Sequence, residues 1–371
     1  MTTGDFSRAP DAGRRVVLVT GATGFVGRAV LERLRTEAVI VRGVVRDATR
    51  ALPDDVQRVV VRDVVDVDRA DVAQGTDCVV HLAARVHMMR AASADPLREF
   101  RRVNVDGTLR LARAAAEAGA RRFVFVSSIK VNGESGHFTA GDTPAPVDPY
   151  GVSKHEAEIG LRAVARETGM EVVVRPPLVY GPGVRAHFLS LMRIVDSGLP
   201  LPVGAIENRR SMVFVANLAD FSCTCMYAPA AANETFLVSD GVDLSTPDIV
   251  RRIAHGLGKP ARLLPIPPAI LRAIGTMAGK RAALQRLMAS LQVDTTAART
   301  RLGWPPPFTV DEETRLTTQV FQHARRGPLA RRARRQRRAG PAMRRRRPDS
   351  APSDSAMYEA SSNRFWFTDR E

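Results

Sequence analysis

Val16-Val17-Leu18-Val19 is an unbroken apolar run that stops at Gly21, and Ala29, Val30, Leu31 and Leu34 then recur at helical spacing. A short continuous run of this kind predicts a strand covered on both faces, and the 3.6-residue spacing after it predicts a helix with one buried side. The change of period recurs along the chain. Strands are expected at 39–46, 57–63, 76–84, 122–126 and 171–175, with one long helix over 97–118 and another beginning near Tyr150. Strands alternating with helices at this interval predict a parallel sheet with helices on both faces. Beyond Pro176 proline-rich turns separate short apolar stretches at 211–215 and 235–238, which predict a smaller lobe over the carboxyl ends of the strands. Thr246 is expected to cap a helix that starts at Pro247.

Between the first strand and its helix stand Gly21, Gly24 and Gly27. A buried strand turning on glycines into a helix presents uncapped backbone amides to a phosphate. Gly21 would supply a positive φ, Gly24 room for a pyrophosphate, and Gly27 close packing of helix on strand. The fold class expected is α/β, a Rossmann-type doubly wound parallel sheet with a smaller C-terminal substrate-binding lobe. The expected divisions are a flexible N-terminus (1–14), an NAD(P)-binding domain (15–175), a mainly substrate-binding lobe (176–324) and an arginine-rich, disordered tail (325–371).

Charge changes this picture less than its total suggests. The 371 residues carry 55 basic and 39 acidic side chains, a net of +16, but 14 arginines against 5 acidic residues in 325–371 account for +9 of it. The rest is only mildly basic, which suits a polyanionic small molecule as well as it suits nucleic acid. The tail is almost all Arg, Ala, Gly and Pro from 326 to 347 and cannot build a core. Cys78, Cys223 and Cys225 fit neither a disulfide framework nor a zinc site and are expected to be buried thiols, with no metal bound. Residues 1–14 lack the apolar core of a signal peptide, and 263–278 is too short and too broken by proline to span a bilayer. A cytoplasmic protein with no membrane span is expected.

The chain has four lysines, and one of them, Lys154, follows Tyr150 by four residues. On a helix these two share a face. A phenol normally titrates near about 10, and a fixed cation beside it favours phenolate and brings it toward a working range. Tyr150 could then give a proton to a carbonyl oxygen as hydride arrives, or take one from a hydroxyl as hydride leaves. The pair Ser127-Ser128 closes the preceding strand.

With Thr20 to Gly27, His81-Leu82-Ala83-Ala84, Asn104-Val105-Asp106-Gly107-Thr108, Ser127-Ser128, Tyr150 to Lys154 and Arg175 to Pro182 in hand, the chain resembles the extended short-chain dehydrogenases/reductases. That family contains nucleotide-sugar epimerases, dehydratases and ketoreductases, and the match runs from about 15 to 304. The resemblance implies Tyr150 as acid/base, Lys154 on the nicotinamide ribose, Ser128 on the reacting oxygen, and Asn104 as support for the lysine and a water relay. For the cofactor it implies Gly21, Thr23, Gly24, Phe25, Val26 and Gly27 at the pyrophosphate and Asp63 and Val64 at the adenine. Arg46 would lie at the adenosine ribose, His81 to Ala84 along the second half, and Pro177 beside the nicotinamide, with Asn104, Tyr150 and Lys154 in contact. Substrate contacts are implied for Arg85, Ser128, Lys130, Asn132, Arg210 and Arg286, the two arginines at the nucleotide diphosphate.

Three departures narrow the reaction. Ile129 and Lys130 stand where the family's dehydratases carry Asp-Glu, which argues against 4,6-dehydration. Leu178 replaces an asparagine that contacts the diphosphate in many 4-epimerases. Arg46 stands where an acidic residue would hold the ribose hydroxyls of NAD, so NADP is slightly favoured over NAD, unless Asp47 points inward. The expectation is an NAD(P)-dependent enzyme acting at C4 of a UDP-linked hexose for surface polysaccharide. It would either reduce a UDP-4-keto-6-deoxy sugar, toward which Arg46 leans, or epimerise a UDP-hexose. A homodimer is expected, as is usual in the family. The rivals are a non-catalytic NADP-sensing module and nucleic-acid binding through the tail.

Overall fold

The computed structural model describes residues 13–63, 70–86, 95–168, 170–279 and 281–326. Val64 with the rest of 64–69, residues 87–94, the first twelve residues and the arginine-rich tail beyond Arg326 lie outside them. The strands are β1 (Arg15–Thr20), β2 (Val39–Val45), β3 (Gln57–Val60), β4 (Cys78–His81), β5 (Arg122–Val126), β6 (Gly136–Phe138), β7 (Glu171–Arg175), β8 (Leu178–Tyr180), β9 (Met212–Phe214), β10 (Glu234–Leu237) and β11 (Leu291–Val293). The helices are α1 (Phe25–Leu34), α2 (Ala70–Ala73), α3 (Pro96–Arg101), α4 (Gly107–Glu117), α5 (Pro149–Thr168) and α6 (Ala186–Ser197). They continue as α7 (Val215–Tyr227), α8 (Thr246–Gly256), α9 (Pro268–Met277), α10 (Arg281–Met288), α11 (Thr296–Leu302) and α12 (Val310–Arg326).

Seven strands form one sheet in the order β10-β7-β5-β4-β1-β2-β3, and β1, β2, β4, β5 and β7 pair in parallel as the apolar runs predict. Val17, Leu18 and Val19 are wholly buried. Each such side chain contributes about 1.5–3 kcal/mol by leaving water. The strand order reverses at β1, with β2 on one side and β4 on the other, and open α/β sheets bind ligands outside the carboxyl ends at such a point. Thr20 is paired with His81 there, so Gly21 and Leu82 leave the sheet side by side.

Over the described residues the chain divides into two compact units. One is drawn from Met1–Val131, Asp148–Val174 and Ser222–Thr235, the other from Asn132–Val147, Arg175–Phe221 and Phe236–Glu371. The expected boundary at 175/176 falls one residue from the Val174/Arg175 crossing, but the chain also crosses at 131/132, 147/148, 221/222 and 235/236. The stretch expected at 235–238 forms β10, which is hydrogen-bonded beside β7 at the edge of the seven-stranded sheet, with Phe236 onward counted in the second unit.

Two local expectations are corrected. The single helix over 97–118 is two, α3 and α4, joined by a π-helical turn at Arg102–Asp106 in which Gly107 N bonds to Arg102 O. The cap of α8 is Ser245 rather than Thr246. Ser245 Oγ accepts from Asp248 N at 3.1 Å and donates to the Asp248 carboxylate at 2.6 Å, while the Thr246 hydroxyl is spent on Leu287 O. Among the described residues no helix is long and apolar enough to cross a membrane, and the three cysteines are free and buried.

Candidate active site

The loop after β1 behaves as its glycines require. Gly21 has φ +67°, in the left-handed region. A Cβ on Gly27 would lie 2.1 Å from Gly21 O and 2.9 Å from the Ala22 backbone, so helix and loop meet at a distance only glycine permits. Helix α1 starts at Gly24 with no side chain capping its amides and no acidic residue in its first turn. That positive, uncapped end fits a pyrophosphate. Thr23, Phe25 and Val26 belong to the same turn. Leu82, Ala83 and Ala84 are half-buried beside it, and the space of a Cβ on Gly21 is taken by the backbone of Leu82 and Ala83. His81, expected to line the cofactor with them, is completely buried instead.

At the end of β2, Arg46 is exposed. Asp47 does not compete with it: its Oδ1 accepts from Thr49 N at 2.9 Å and from the Thr49 hydroxyl at 2.7 Å, which also holds the carboxyl below its ordinary range. Asp63 accepts from Arg102 Nη1 at 2.7 Å.

The end of β5 and the start of α5 bring the expected catalytic side chains together. Ser128 acts on the Tyr150 phenol, pulling it down, and the Tyr150 ring lies edge-on to Phe100. Asp148 accepts from Gly151 N at 2.6 Å and so fixes the first turn of α5, and its other oxygen pairs with Lys130. Lys154, wholly buried one turn on, donates to Val126 O at 2.8 Å and has its Nζ 4.0 Å from the centre of the Phe125 ring. Asn104 joins helix to loop. Its Oδ1 accepts from Arg85 N at 2.8 Å, and its amide donates to Arg85 O at 3.1 Å and to Ser153 Oγ at 2.9 Å. The Ser153 hydroxyl in turn donates to Tyr150 O at 2.7 Å.

Burial dominates the electrostatics. Desolvation, then the Asp148 charge, pushes the Tyr150 phenol up to about 12 against the lowering effect of Ser128. Desolvation pushes the Lys154 ammonium down to about 7 against the favourable charge of Glu158. The expected lowering of Tyr150 by Lys154 is not what this arrangement produces: the phenol is held as a proton donor, and the ammonium faces the Val126 carbonyl and the Phe125 ring.

The remaining substrate candidates fall in both units. In the first, the Arg85 guanidinium pairs with Glu99 at 2.9 Å. In the second, Asn132 Oδ1 accepts from the buried Arg175 at 3.0 Å, Pro177 is buried, and Arg210 donates to Arg286 O at 2.7 Å, which brings the two expected diphosphate arginines together. Sequence reasoning missed Ser153, Asp148 and Glu158. Glu158 carried a signal, since Tyr150, Lys154 and Glu158 follow one another at four-residue steps on one helix face.

A parallel sheet with a glycine loop at its switch point and a Ser-Tyr-Lys set at the next strand end defines a dinucleotide-dependent enzyme of the short-chain dehydrogenase type. The chain belongs to the NAD dependent epimerase/dehydratase family, whose pattern matches residues 17–239. It is 45% identical over 316 residues to a UDP-glucose 4-epimerase of Vibrio cholerae, covering 83% of this chain and 96% of that one. It is 29% identical over 330 residues, 84% and 97% of the two chains, to an N-acetyl-alpha-D-glucosaminyl-diphospho-ditrans,octacis-undecaprenol 4-epimerase of Escherichia coli. In fold it is similar to the UDP-glucuronic acid 4-epimerase of Bacillus cereus in complex with NAD, with a TM-score of 0.67, 21% identity, and 83% and 97% of the chains covered.

Proposed function

We propose that the protein is a cytoplasmic NAD(P)-dependent 4-epimerase of a UDP-linked hexose, acting in surface polysaccharide synthesis. Tyr150 and the buried Lys154 one turn on along α5, with Ser128 acting on the phenol, carry this reading, and the similarity to a UDP-glucose 4-epimerase supports the choice of C4. A nicotinamide cofactor held at the glycine loop would supply the hydride chemistry, taking hydride from C4 and giving it back to the opposite face of the ketone. Tyr150 takes the proton of the C4 hydroxyl as it is oxidised and gives a proton back to that oxygen as the ketone is reduced. Ser128 donates to that oxygen where negative charge develops. Lys154 is assigned to the nicotinamide ribose, and Asn104 and Ser153 hold the first turns of α5 in place. Arg210 and Arg286 are assigned to the nucleotide diphosphate.

Arg46 favours a second reading, net reduction of a UDP-4-keto-6-deoxy-hexose with NADPH. An exposed guanidinium with Asp47 turned toward Thr49 suits a 2′-phosphate. A homodimer is also proposed, supported by the exposed Ile159 on α5. Incubation of the purified protein with UDP-glucose and with UDP-N-acetylglucosamine, followed by NMR of the sugar, tests the first reading. Interconversion of C4 epimers with no net change in nicotinamide absorbance is expected. Stoichiometric NADPH consumption with a UDP-4-keto-6-deoxy-hexose, and no epimerisation, would replace it by the second.

A further inference from the structure

His81 stands at the end of β4 and is sealed from solvent. Both ring nitrogens are bonded: Nδ1 lies 2.7 Å from Thr20 Oγ1 and Nε2 2.9 Å from Thr108 Oγ1. The direction of each bond follows from counting protons. The Thr108 hydroxyl donates its single proton to Asn104 O at 2.7 Å, so toward His81 it can only accept, and Nε2 carries the ring proton. The Thr20 oxygen accepts from Leu82 N and Ala83 N, each at 3.2 Å, which leaves its proton for Nδ1. A doubly protonated ring would turn Nδ1 into a donor toward an oxygen already accepting two amides. The bonds therefore run one way, from the amides of Leu82 and Ala83 through Thr20, His81 and Thr108 to the carbonyl of Asn104.

The surroundings agree. Rings of Phe123 and Phe125 from β5 lie with their centres 5.7 Å from that of His81. Lys154, on α5, sits over the same Phe125 ring, and it is the charge that acts on His81. Burial and that charge together push the imidazole down to about 3. Thr20 faces it from β1 and Thr108 from α4, neither of them charged.

We propose that the Thr20–His81–Thr108 chain is a positioning device of the cofactor site. Its neutral His81, protonated on Nε2, ties the glycine-loop strand to the 82–84 segment and to Asn104, and keeps a second positive charge away from Lys154. His81 is sealed from solvent and acts through Ala83, Asn104 and Lys154. The assignment rests on the dinucleotide site proposed above but not on which sugar is turned over, and it is tested by measurements that need no sugar.

The first measurement is a long-range proton–nitrogen NMR spectrum of the full chain labelled at histidine, with His81 assigned by comparison with His81→Gln. A protonated Nε2 and a bare Nδ1 are expected from pH 8 down to pH 5. The second is a titration of wild type, Thr20→Val and Thr20→Ser with NAD and NADP, followed by cofactor fluorescence or calorimetry. Thr20→Val, which leaves Leu82 N and Ala83 N without their acceptor, should weaken cofactor binding about ten-fold. It should also let His81 titrate within the range where wild type does not. Thr20→Ser, which keeps the hydroxyl, should restore both properties. A His81 that carries its proton on Nδ1 or titrates near its ordinary 6.5 in wild type would overturn the proposal. So would equal cofactor affinity in the Val and Ser variants.

Discussion

Ser127 Oγ donates to Glu158 Oε1 at 2.6 Å, tying the strand end that precedes Ser128 to the helix that carries Tyr150 and Lys154. Both residues are buried, and the Glu158 carboxylate has Arg162 3.7 Å away on the next turn. A buried carboxylate without such partners would be costly. Held as it is, it favours the charged form of Lys154, whose ammonium burial otherwise disfavours.

Glu158→Gln keeps the Ser127 bond and removes the charge. Because the Lys154 ammonium is already pushed down to about 7, losing the group that raises it makes deprotonation easier. Activity that needs charged Lys154 should fall away at lower pH than in wild type, with a loss of roughly ten-fold at pH 8 and little loss at pH 6. A pH–rate profile of both proteins checks this, and superimposable profiles would remove Glu158 from the account.

Tyr150→Phe should lower turnover by about 10²–10⁴-fold, the range of a lost general acid/base. Cofactor affinity, measured by fluorescence titration, should change little, since the ring still packs against Phe100. Retained turnover would rule out Tyr150 as the proton carrier.

Arg46→Glu exchanges an exposed cation at the end of β2, proposed to meet the adenosine ribose, for an anion. The ratio of NADP to NAD affinity should fall by roughly 10- to 100-fold, the worth of a charge-assisted contact to phosphate. Calorimetric titration of each cofactor measures it, and an unchanged ratio would mean that the 2′ position is read elsewhere.

In the second unit Tyr180 donates to Glu313, and Asn217 Nδ2 reaches both Glu313 at 2.6 Å and Asp240 at 2.9 Å. Burial together with the Asp240 charge raises Glu313 well above its ordinary 4.5, and burial raises Asp240 as well. The folded state thus keeps a proton that the unfolded chain releases above about pH 4.5, so stability present at low pH is lost as pH rises through the raised value. Urea midpoints should decline from pH 5 toward pH 9. Glu313→Gln, neutral throughout, should flatten that decline, and a wild-type midpoint that rises over the same range would contradict it.

What the chain disclosed in advance has a physical pattern. The strand–glycine–helix unit was legible because the apolar period changes from continuous to 3.6 at Gly21, and the wholly buried β1 and the positive φ of Gly21 follow from that change. Tyr150 and Lys154 were legible because four residues make one helix face. The π turn was not, since one extra residue leaves an apolar pattern that still reads as a single helix. Glu158 was passed over because a carboxylate four residues from a lysine usually marks a solvated pair; only the packing of α5 puts it inside. The continuous apolar run 76–84 reads as one strand, whereas β4 stops at His81, which is buried, and Leu82 leaves the sheet. The assignment of Asn132–Val147 and Ser222–Thr235 to different units depends on long-range packing that no local period records.

The wide turn at Arg102–Asp106 has the form that a single-residue insertion takes when the helix faces on either side of it are held in place. Removing any one residue there would rotate everything before Arg102 by about 100° relative to Thr108, because each residue of an α-helix advances by that angle. The faces of α3 and α4 are thus phased independently, one against Tyr150 through Phe100 and the other against His81 through Thr108. A homologue with an uninterrupted helix at this place would have to reach the Ser153 hydroxyl from a different position in its chain, and an alignment that ignored the extra residue would pair Asn104 with the wrong neighbour.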